Sequence, residues 1–471
     1  MRPVPLALTA RAIFANPSRD VTYFRLHHHY ITLPALQNSG NNQEMSAQSV
    51  PYHRYSTLQE LQTSGSYQEM CAIGRAVSQK TLDRYCVLKA TGVSLKQLHS
   101  AGVNLNPHSL LKSAQFLHRE IPVRMSHRIR DLQSLPFGLS STEGITEVTN
   151  MLKYSFHVIS TFQYPETGED EERMTEVIKE ILIRHQHLVV NMGRGFREHF
   201  GMGAERDKSE HFLLQEFLDN FNTGRIGLRM LMAHHVALSE QAGNDKASKA
   251  DKVGAIDENC KPADIVQEAI RDAGAMCMAY YGVAPSVEVS GHTDCQFRFV
   301  SAHLRLMTFE LLKNSMRSVV EYNTAAHSTL PAHPPPAPLP PIKVVIACND
   351  REVVIKITDQ GGGVRRRDLP MLMTYSYTTS TAEQESTAPL DNSFSDSLRD
   401  AVGPITSGTA PMFGDGFGLP ITRLYSRYFG GDLLLHSMHG HGTDAYLFLN
   451  RLGTSSEMLP DGNRFEAGQL Y

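Results

Sequence analysis

Three short stretches in the second half of the chain carry residue types that suit nucleotide binding. They are Glu310–Asn314, Asp359–Gly363 and Gly414–Gly418. Asp359 follows a strand-like run, and a carboxylate at a strand end is a fixed acceptor for an exocyclic amine. The glycines after it let the backbone turn sharply and approach a ligand closely. Each stretch is weak evidence alone, so the prediction of one nucleotide pocket rests on all of them in this order.

Glu310 and Asn314 are the candidates for catalysis and metal binding. They lie at positions i and i+4, so on a helix they face the same way. An asparagine oxygen suits Mg²⁺, which keeps several waters and takes its other ligands from phosphates. A glutamate beside it can deprotonate a hydroxyl or a water near the terminal phosphate. The alternative is a helix surface without a role, and Lys313 and Arg317 are either pocket cations or simple helix pairs.

The glycines of the third stretch predict an anion site. Gly414, Gly416 and Gly418 precede a helical pattern that starts at Leu419, and backbone N–H groups at a helix N-terminus bind phosphate. A Rossmann unit would need its glycines after the first strand, and a P-loop would need GxxxxGK[ST]. Ordinary protein kinases carry HRD and DFG motifs. The chain matches none of these patterns.

Composition bounds the class of protein. The 471 residues, 41% of them hydrophobic and 20% charged, allow two or three domains of an ordinary soluble protein. A net charge of -4 gives no case for nucleic-acid binding. The six cysteines are scattered without a CxxC pair, so we expect a reduced compartment, no zinc site and no disulfide framework. No long apolar run predicts a membrane span.

Shifts in composition divide the chain into five predicted parts. Residues 1–66 form a leader whose Arg-containing, acid-poor start is typical of a mitochondrial presequence; the alternative is a disordered tail without an address. Residues 67–240 carry long amphipathic patterns that predict an up-and-down helical bundle. The other parts are a polar linker at 241–254, a second domain at 255–452 with a lid at about 370–413, and a short tail at 453–471.

The second domain alternates helical and strand-like segments. Ser286–Ser290 and Gln296–Val300 alternate like strands, and Ile342–Cys348 and Val353–Ile357 are the next strands expected. A helix is expected from Pro262 until Gly282. This pattern predicts an α+β fold with a mixed sheet layered by helices. In the helical region, Pro122 is expected to mark a kink or the first turn of a new helix.

The helical region contains a candidate anion site. Arg225 and Arg229 lie one helical turn apart, and two such arginines can clamp a carboxylate or a phosphate. The alternative is a solvated face, or ion pairs with Glu216 and Asp219. His185 lies on an apolar stripe, which by itself favours a half-buried structural histidine.

The nucleotide motifs resemble the GHKL ATP-binding fold of gyrase, histidine kinases and MutL-type ATPases. Within that fold, the chain resembles the mitochondrial protein kinases of the 2-oxoacid dehydrogenase complexes over roughly residues 67–452. The implied architecture is a helical bundle followed by a GHKL-type α/β sandwich. The matching motifs are Phe309–Ser318, Asp359–Val364, Tyr377–Thr379, Gly416–Pro420, Tyr428–Asp432 and Gly442–Asp444, with Ile121–Arg124, Phe217–Asp219 and Arg225–Leu231 in the helical region.

Of the two branches, the branched-chain 2-oxoacid dehydrogenase kinases look closer than the pyruvate dehydrogenase kinases. The chain has no Trp and stops soon after the last strand, whereas the pyruvate branch carries a long tail with an Asp-Trp pair. Ile256–Cys260 and Pro340–Lys343 instead resemble the pyruvate branch. The branched-chain motifs are Leu110–Ala114, His127–Ile129, His234–Leu238, Tyr281–Pro285 and Pro411–Met412.

The resemblance implies a role for each matching residue. Glu310 would be the general base on the substrate serine, Asn314 the Mg²⁺ ligand, and Asp359 the acceptor from the adenine amino group. The remaining ATP-binding positions would be Gly361, Gly363, Thr378, Thr379, Gly414, Gly416, Phe417, Gly418, Leu419 and Thr443. A regulatory 2-oxoacid pocket would be lined by His185, Arg225 and Arg229.

The implied function is an ATP-dependent serine kinase of the mitochondrial matrix that inactivates the decarboxylase component of a 2-oxoacid dehydrogenase complex. The branched-chain complex is the first expectation and the pyruvate complex the alternative. Implied cofactors are ATP and Mg²⁺, with K⁺ near the nucleotide as a further candidate. Implied partners are the decarboxylase, the lipoyl domain of the acyltransferase core and a second copy of the chain.

Two departures from the family pattern leave another hypothesis open. Leu306 stands where the pyruvate branch has a histidine one turn before the base, and His303 lies two turns before it. Asp415 stands where the family usually has an aromatic residue. A non-catalytic ATP-binding docking protein is therefore a second alternative. A histidine kinase would need a phosphoacceptor motif that the sequence of the bundle lacks.

Overall fold

The computed structural model of the protein describes residues 30–32, 49–51, 65–188, 191–193, 195–196, 208–243, 251–327, 338–375 and 416–460. Inside the predicted leader, strands β1 (Tyr30–Thr32) and β2 (Ser49–Pro51) pair antiparallel. The first described helix begins at Gly65, close to the predicted start of the helical region.

The N-terminal half is a bundle of helices, as predicted. Their bounds are α1 (Gly65–Ala76), α2 (Gln79–Cys86), α3 (Leu95–Gly102), α4 (Pro107–Gln133), α5 (Glu143–Thr161), α6 (Gly168–Arg184) and α7 (Lys208–Ala242). The long α4 packs against α5, α6 and α7 around a core of buried aliphatic and aromatic side chains. Burial of these apolar stripes, more than intrinsic propensity, stabilises such helices.

Helices α3 and α4 start at capping boxes that are visible in the sequence, as does α6 with Thr167 and Asp170. Ser94 accepts from the Gln97 backbone while the Gln97 side chain accepts from Ser94, just before α3. Asn106 and Ser109 make the same reciprocal pair at the start of α4, whose first residue is a proline. Both arrangements satisfy backbone N–H groups that a helix start leaves without partners.

Pro122 does not divide α4, which corrects the expectation that it could mark the first turn of a new helix. The structure has one helix from Pro107 to Gln133 with Pro122 inside it. Proline removes one helical hydrogen bond, but Ile121 and Val123 on either side are buried in the bundle core. Tertiary packing therefore outweighs the local preference.

The C-terminal half is an α+β domain, which confirms the predicted fold class. The elements of this domain are β3 (Lys252–Val253), β4 (Ile256–Cys260), α8 (Pro262–Tyr281), β5 (Val287–Gly291), β6 (Phe297–Phe299), α9 (Ser301–His327), β7 (Ile342–Cys348), β8 (Glu352–Thr358), α10 (Gly418–Tyr428), β9 (Asp432–Met438) and β10 (Gly442–Asn450). A five-stranded sheet has the order β5-β7-β8-β10-β9, with β5 and β7 parallel and the other neighbours antiparallel.

One face of this sheet packs against helices. Along β7, Ile342, Val344 and Ile346 are buried and the residues between them are more exposed, as a half-buried strand requires. Val344 pairs with Ile357, which pairs with Ala445 on the next strand. The apolar residues of α8 and α9 complete the same core.

A smaller sheet and a disulfide depart from the expectations. β3 pairs with β4 and β4 with β6, so Lys252–Val253 is a strand although it lies in the predicted linker. Cys295 and Cys348 are joined by a disulfide across a sequence separation of 53 residues, which corrects the expectation of none. The parallel pairing of β5 with β7 brings these two positions together, and sequence spacing cannot show such proximity.

Candidate nucleotide and catalytic site

Asp359 is the residue after β8, and its side chain is buried. Its Oδ1 accepts from the N–H groups of Gly361 at 2.9 Å and Thr443 at 3.2 Å, and its Oδ2 accepts from the Ser315 hydroxyl at 3.2 Å. Burial raises the pKa of Asp359, and these hydrogen bonds oppose the rise. Donors from β10 and α9 thus fix the orientation of one carboxylate.

The glycine turn after Asp359 permits close backbone contact. Gly363 has a φ of +61°, and a Cβ there would overlap the carbonyl oxygen of Met438. A side chain would therefore be both strained and blocked at this position. The turn holds the end of β8 against the hairpin between β9 and β10, where Thr443 lies.

Glu310 meets the N-terminus of α10, as the motifs predicted. A Cβ on Gly418, the first residue of α10, would lie 2.5 Å from Glu310 Oε2, so the absence of a side chain lets the carboxylate approach the helix backbone in this position. Lys313 Nζ lies 2.9 Å from each carboxylate oxygen of Glu310. A carboxylate, an ammonium group and a helix N-terminus therefore lie close together. This arrangement suits proton transfer beside a bound anion.

The start of α10 offers backbone donors. Its N-cap residue is Phe417, which makes no side-chain capping bond, and Gly416 before it has a φ of +79°. The Phe417 ring lies 5.2 Å from the ring of Tyr375, whose hydroxyl donates to Asp219 of α7 at 2.9 Å. Leu419 packs against the domain core. This end of α10 is thus fixed in place while the N–H groups of its first turn suit an anion.

Asn314 lies one turn after Glu310 on α9 and is half-buried. In the part of the chain that the structure describes, no group of three or more His, Cys, Asp or Glu side chains could hold a metal ion. One amide oxygen supplemented by nucleotide phosphates is the mode of binding that Mg²⁺ prefers over an all-protein cage. The residues present therefore fit Mg²⁺ delivered with a nucleotide.

Four positions of interest, Thr378, Thr379, Gly414 and Asp415, lie outside the described residues. Sequence reasoning did not assign Ser315 a role, although its place directly after Asn314 in the first stretch was a signal.

The two cations left open in that stretch have different partners. Lys313 is bound to Glu310, whereas Arg317 pairs with Glu321 at 2.9 Å, four residues along the same helix.

Arg225 and Arg229 of α7 are buried rather than on a solvated face. Arg225 is hydrogen bonded to Tyr425 of α10, and Arg229 donates to the carbonyl oxygen of Leu182 at 3.3 Å. Burial lowers the pKa of Arg225. Two buried guanidinium groups one turn apart are suited to a carboxylate ligand.

His185 belongs to the same cluster. It is fully enclosed, and its Nε2 lies 2.9 Å from the Ser155 hydroxyl. Burial, and then the charges of Arg184, Arg229 and Arg225, lower the pKa of His185 well below its usual range. A neutral imidazole among several positive charges makes the surroundings favourable for an anion.

His303 does not take the place of the histidine that the pyruvate branch has beside the base. Its ring lies 4.7 Å from the ring of Tyr425, and burial followed by the charge of Arg229 lowers its pKa to about 3. Leu306 is buried in the domain core. Among the described residues, the group held against Glu310 is Lys313.

Known protein families match both halves of this arrangement. The model of the mitochondrial branched-chain alpha-ketoacid dehydrogenase kinase family matches residues 92–257, and that of the histidine kinase-, DNA gyrase B- and HSP90-like ATPases matches residues 300–452. The second range includes Glu310, Asp359 and Gly418.

Curated relatives match most of the chain. A mitochondrial pyruvate dehydrogenase (acetyl-transferring) kinase of Arabidopsis thaliana is 37% identical over 79% of this chain and 94% of the relative. The Drosophila melanogaster kinase of the same name is 33% identical over 82% and 88%. The human isozyme 3 is 33% identical over 82% and 89%. The chain therefore belongs to the mitochondrial 2-oxoacid dehydrogenase kinase family.

Proposed function

We propose that this protein is an ATP-dependent serine kinase of the mitochondrial matrix that phosphorylates the decarboxylase component of the pyruvate dehydrogenase complex. The observation that carries the proposal is the similarity to the Arabidopsis pyruvate dehydrogenase kinase over 94% of that protein's length. The proximity of Glu310 to the N-terminus of α10 supports the proposed proton transfer beside a bound phosphate. The motifs alone favoured the branched-chain complex, and the curated relatives favour the alternative.

In this proposal the adenine end of ATP lies at Asp359. The carboxylate accepts from the adenine amino group, while Gly361, Gly363 and Thr443 shape the surrounding backbone. Support comes from the three hydrogen bonds that already fix the Asp359 side chain. A preorganised acceptor loses little freedom when the ligand binds.

The phosphate end lies between α9 and α10. Backbone N–H groups at Gly416, Phe417, Gly418 and Leu419 bind phosphate oxygens, and Mg²⁺ held by Asn314 neutralises charge on the transferred group.

Thr378, Thr379 and Gly414 are also expected to bind ATP at this site. K⁺ near the nucleotide is a further expectation, which ATP titrations in KCl and in NaCl would test.

Glu310 removes the proton from the substrate serine. In the structure both of its oxygens contact Lys313 beside the N-terminus of α10. An incoming phosphate competes for the same ammonium group. We therefore expect ATP binding to loosen Lys313 from Glu310 and free a lone pair for the hydroxyl proton.

The buried cluster of His185, Arg225 and Arg229 is proposed as a regulatory 2-oxoacid pocket. Burial of both arginines supports a ligand role over a solvated face. A 2-oxoacid carboxylate would accept from the two guanidinium groups.

The partners proposed are the decarboxylase, a lipoyl domain of the acyltransferase core and a second copy of the chain. Support for a dimer comes from β9, an edge strand of the main sheet. Its Leu434 and Met438 are 43% and 67% exposed. Such an edge is a surface that proteins commonly cover.

Transfer of radiolabel from ATP to purified pyruvate and branched-chain decarboxylases, measured side by side, tests the function. Glu310→Gln should lower transfer by about 10²- to 10⁴-fold, the range for loss of a general base. Glu321→Gln is the matched control, because Glu321 lies on the same helix but pairs with Arg317. Equal loss in both variants would contradict a specific role for Glu310.

The same assay separates the alternatives. Labelling of the branched-chain component alone would favour the branched-chain kinase, whose family model matches residues 92–257. ATP binding without labelling of either component would favour a non-catalytic docking protein.

A further inference from the structure

The C-terminal segment, residues 452–460, returns to the helical bundle after the last strand. Ser456 forms an isolated bridge with Ser94 at the start of α3. The Glu457 N–H donates to the Val93 carbonyl at 2.8 Å, and the Met458 N–H donates to the Tyr428 carbonyl at 3.2 Å. The segment is thus hydrogen bonded to both halves of the molecule.

Glu457 is the charged residue of this segment, and its side chain is fully buried. Its carboxylate accepts from both terminal nitrogens of Arg124, at 2.6 and 2.9 Å, and from the Val93 N–H at 3.0 Å. The Tyr428 hydroxyl donates to the same carboxylate. A buried carboxylate needs such a full set of donors, because an uncompensated buried charge is costly.

Arg124 connects this carboxylate to the bundle. Its Nε donates to Glu120 at 2.9 Å, one turn earlier on α4, and its Nη2 also donates to the Thr91 carbonyl at 2.8 Å. Burial by itself would lower the pKa of Arg124, but the bonds to Glu457 outweigh it and the pKa is raised. The guanidinium group therefore stays charged between two buried carboxylates.

Tyr428 connects the carboxylate to the site. It is the last residue of α10, whose first residue, Gly418, lies against Glu310. An α-helix of this length is a stiff rod of about 16 Å. Fixing one end of α10 therefore helps to fix the N–H groups at the other end.

We infer that Glu457 is a positioning residue for the phosphate-binding end of α10, so that the C-terminal segment is part of the kinase machinery. The inference rests on the proposed phosphate role of Gly416 and Gly418. Glu457 touches no substrate and acts through Tyr428. Sequence analysis assigned residues 453–471 to a short tail and gave no role to this glutamate.

Glu120 offers a matched control. Both glutamates bond to Arg124 and both are 5% exposed, but only Glu457 is bonded to α10. If the cluster is merely structural, Glu120→Gln and Glu457→Gln should lower the melting temperature alike and leave ATP affinity unchanged. If Glu457 positions α10, ATP affinity should fall only when the contact with α10 is altered.

The experiment measures the Kd for ATP by calorimetry, and kcat and KM for the decarboxylase reaction, in the full-length protein. We expect Glu457→Gln to weaken ATP binding about tenfold, which corresponds to about 1.4 kcal/mol, and Tyr428→Phe, which removes a single hydrogen bond, to weaken it about threefold. Glu120→Gln should stay within twofold of the wild type. Equal ATP affinity in all of these proteins would overturn the inference.

Tyr428→Phe keeps the ion pair with Arg124, so it tests the inference even if Glu457→Gln does not fold. Failure of the wild type to bind ATP would instead overturn the proposed function. A loss of kcat with unchanged ATP affinity in Glu457→Gln would also count against positioning of the phosphate site.

Discussion

The two halves of the molecule bury polar groups in different ways. In the helical bundle, buried side chains bond to one another: His235 lies 2.9 Å from Ser113 and 3.0 Å from Thr175, and that threonine donates to Glu171. In the ATP-binding domain, Asp359 and Lys313 are buried at the proposed nucleotide site. A nucleotide can therefore add partners in the second half, whereas this network of the first half, which lies outside the proposed 2-oxoacid pocket, must supply its own.

This difference predicts different sensitivities. A network of buried polar groups that satisfy each other is disrupted when one member changes charge. A ligand site gains stability from its ligand by mass action. We therefore expect nucleotide and redox conditions to act mainly on the ATP-binding domain, and pH to act on the bundle through His234 and His235 and on the ATP-binding domain through His303.

The largest expected effect is reduction of Cys295–Cys348, which lies wholly in the ATP-binding domain. Loss of a cross-link typically costs about 2–4 kcal/mol of unfolding free energy, because the unfolded chain regains freedom. Calorimetric scans with and without dithiothreitol should show a lower midpoint for the transition that ATP raises. Cys348→Ser should already have that midpoint and should not respond to the reductant. If dithiothreitol lowered the midpoint of Cys348→Ser as much as that of the wild type, the effect could not be assigned to this disulfide.

The next largest effect is on nucleotide affinity. Asp359→Asn keeps one oxygen that can accept from Gly361 and Thr443, but it replaces the other oxygen, which accepts from Ser315, by an NH2 group that cannot accept from adenine. Hydrogen bonds to charged groups contribute about 1.5–3 kcal/mol, so the Kd for ATP should rise about 10- to 100-fold. Calorimetric titration measures this. A matched change in Asp444, which pairs with Lys356 at 2.8 Å, should have little effect. If Asp359→Asn bound ATP with wild-type affinity, Asp359 would not be the acceptor from the adenine amino group.

The smallest expected effect, per pH unit, is the dependence of the free energy of unfolding on pH. Burial lowers the pKa of His234 and of His235 to about 4, below the unfolded value of about 6.5. The unfolded chain therefore binds more protons as pH falls, so this stabilisation is complete above about pH 6.5 and is lost progressively toward pH 4. Each histidine contributes a slope of up to about 1.4 kcal/mol per pH unit.

Urea unfolding between pH 7 and pH 5 measures that slope. His235→Gln retains hydrogen-bonding groups but does not titrate, so its slope should be shallower. The exposed His439 serves as a control, and His439→Gln should unfold with the wild-type slope. If His439→Gln made the pH dependence as shallow as His235→Gln does, the slope could not be assigned to the burial of His235.

The sequence predicted those features that depend on local backbone chemistry. The positions of Asp359 at a strand end and Gly418 at a helix start depend on neighbouring residues along the chain. Sequence motifs and the spacing of apolar residues can therefore locate them. The strand Ile342–Cys348 was predicted with its observed bounds because it is a short apolar run rich in β-branched residues. β8 is one residue longer at each end than predicted, since Glu352 and Thr358 pair with neighbours despite being polar.

The features that the sequence did not reveal depend on contacts between distant segments. Cys295 meets Cys348 only because β5 and β7 are parallel neighbours. Ser315 meets Asp359 only because α9 packs beside the end of β8. β3 has two residues, which is too short for any alternating pattern, so linker composition concealed it.

The return of the C-terminal segment to the bundle also affects how the protein is made. A chain leaves the ribosome N-terminus first, and early domains generally fold before later ones are complete. Here the guanidinium group of Arg124 obtains Glu457 as a partner only after the last strand has been synthesised. The buried charge of Arg124 in the bundle therefore lacks its Glu457 partner until the end of the chain has been synthesised. A product of premature termination before Glu457 should therefore be recognised as incomplete by proteases.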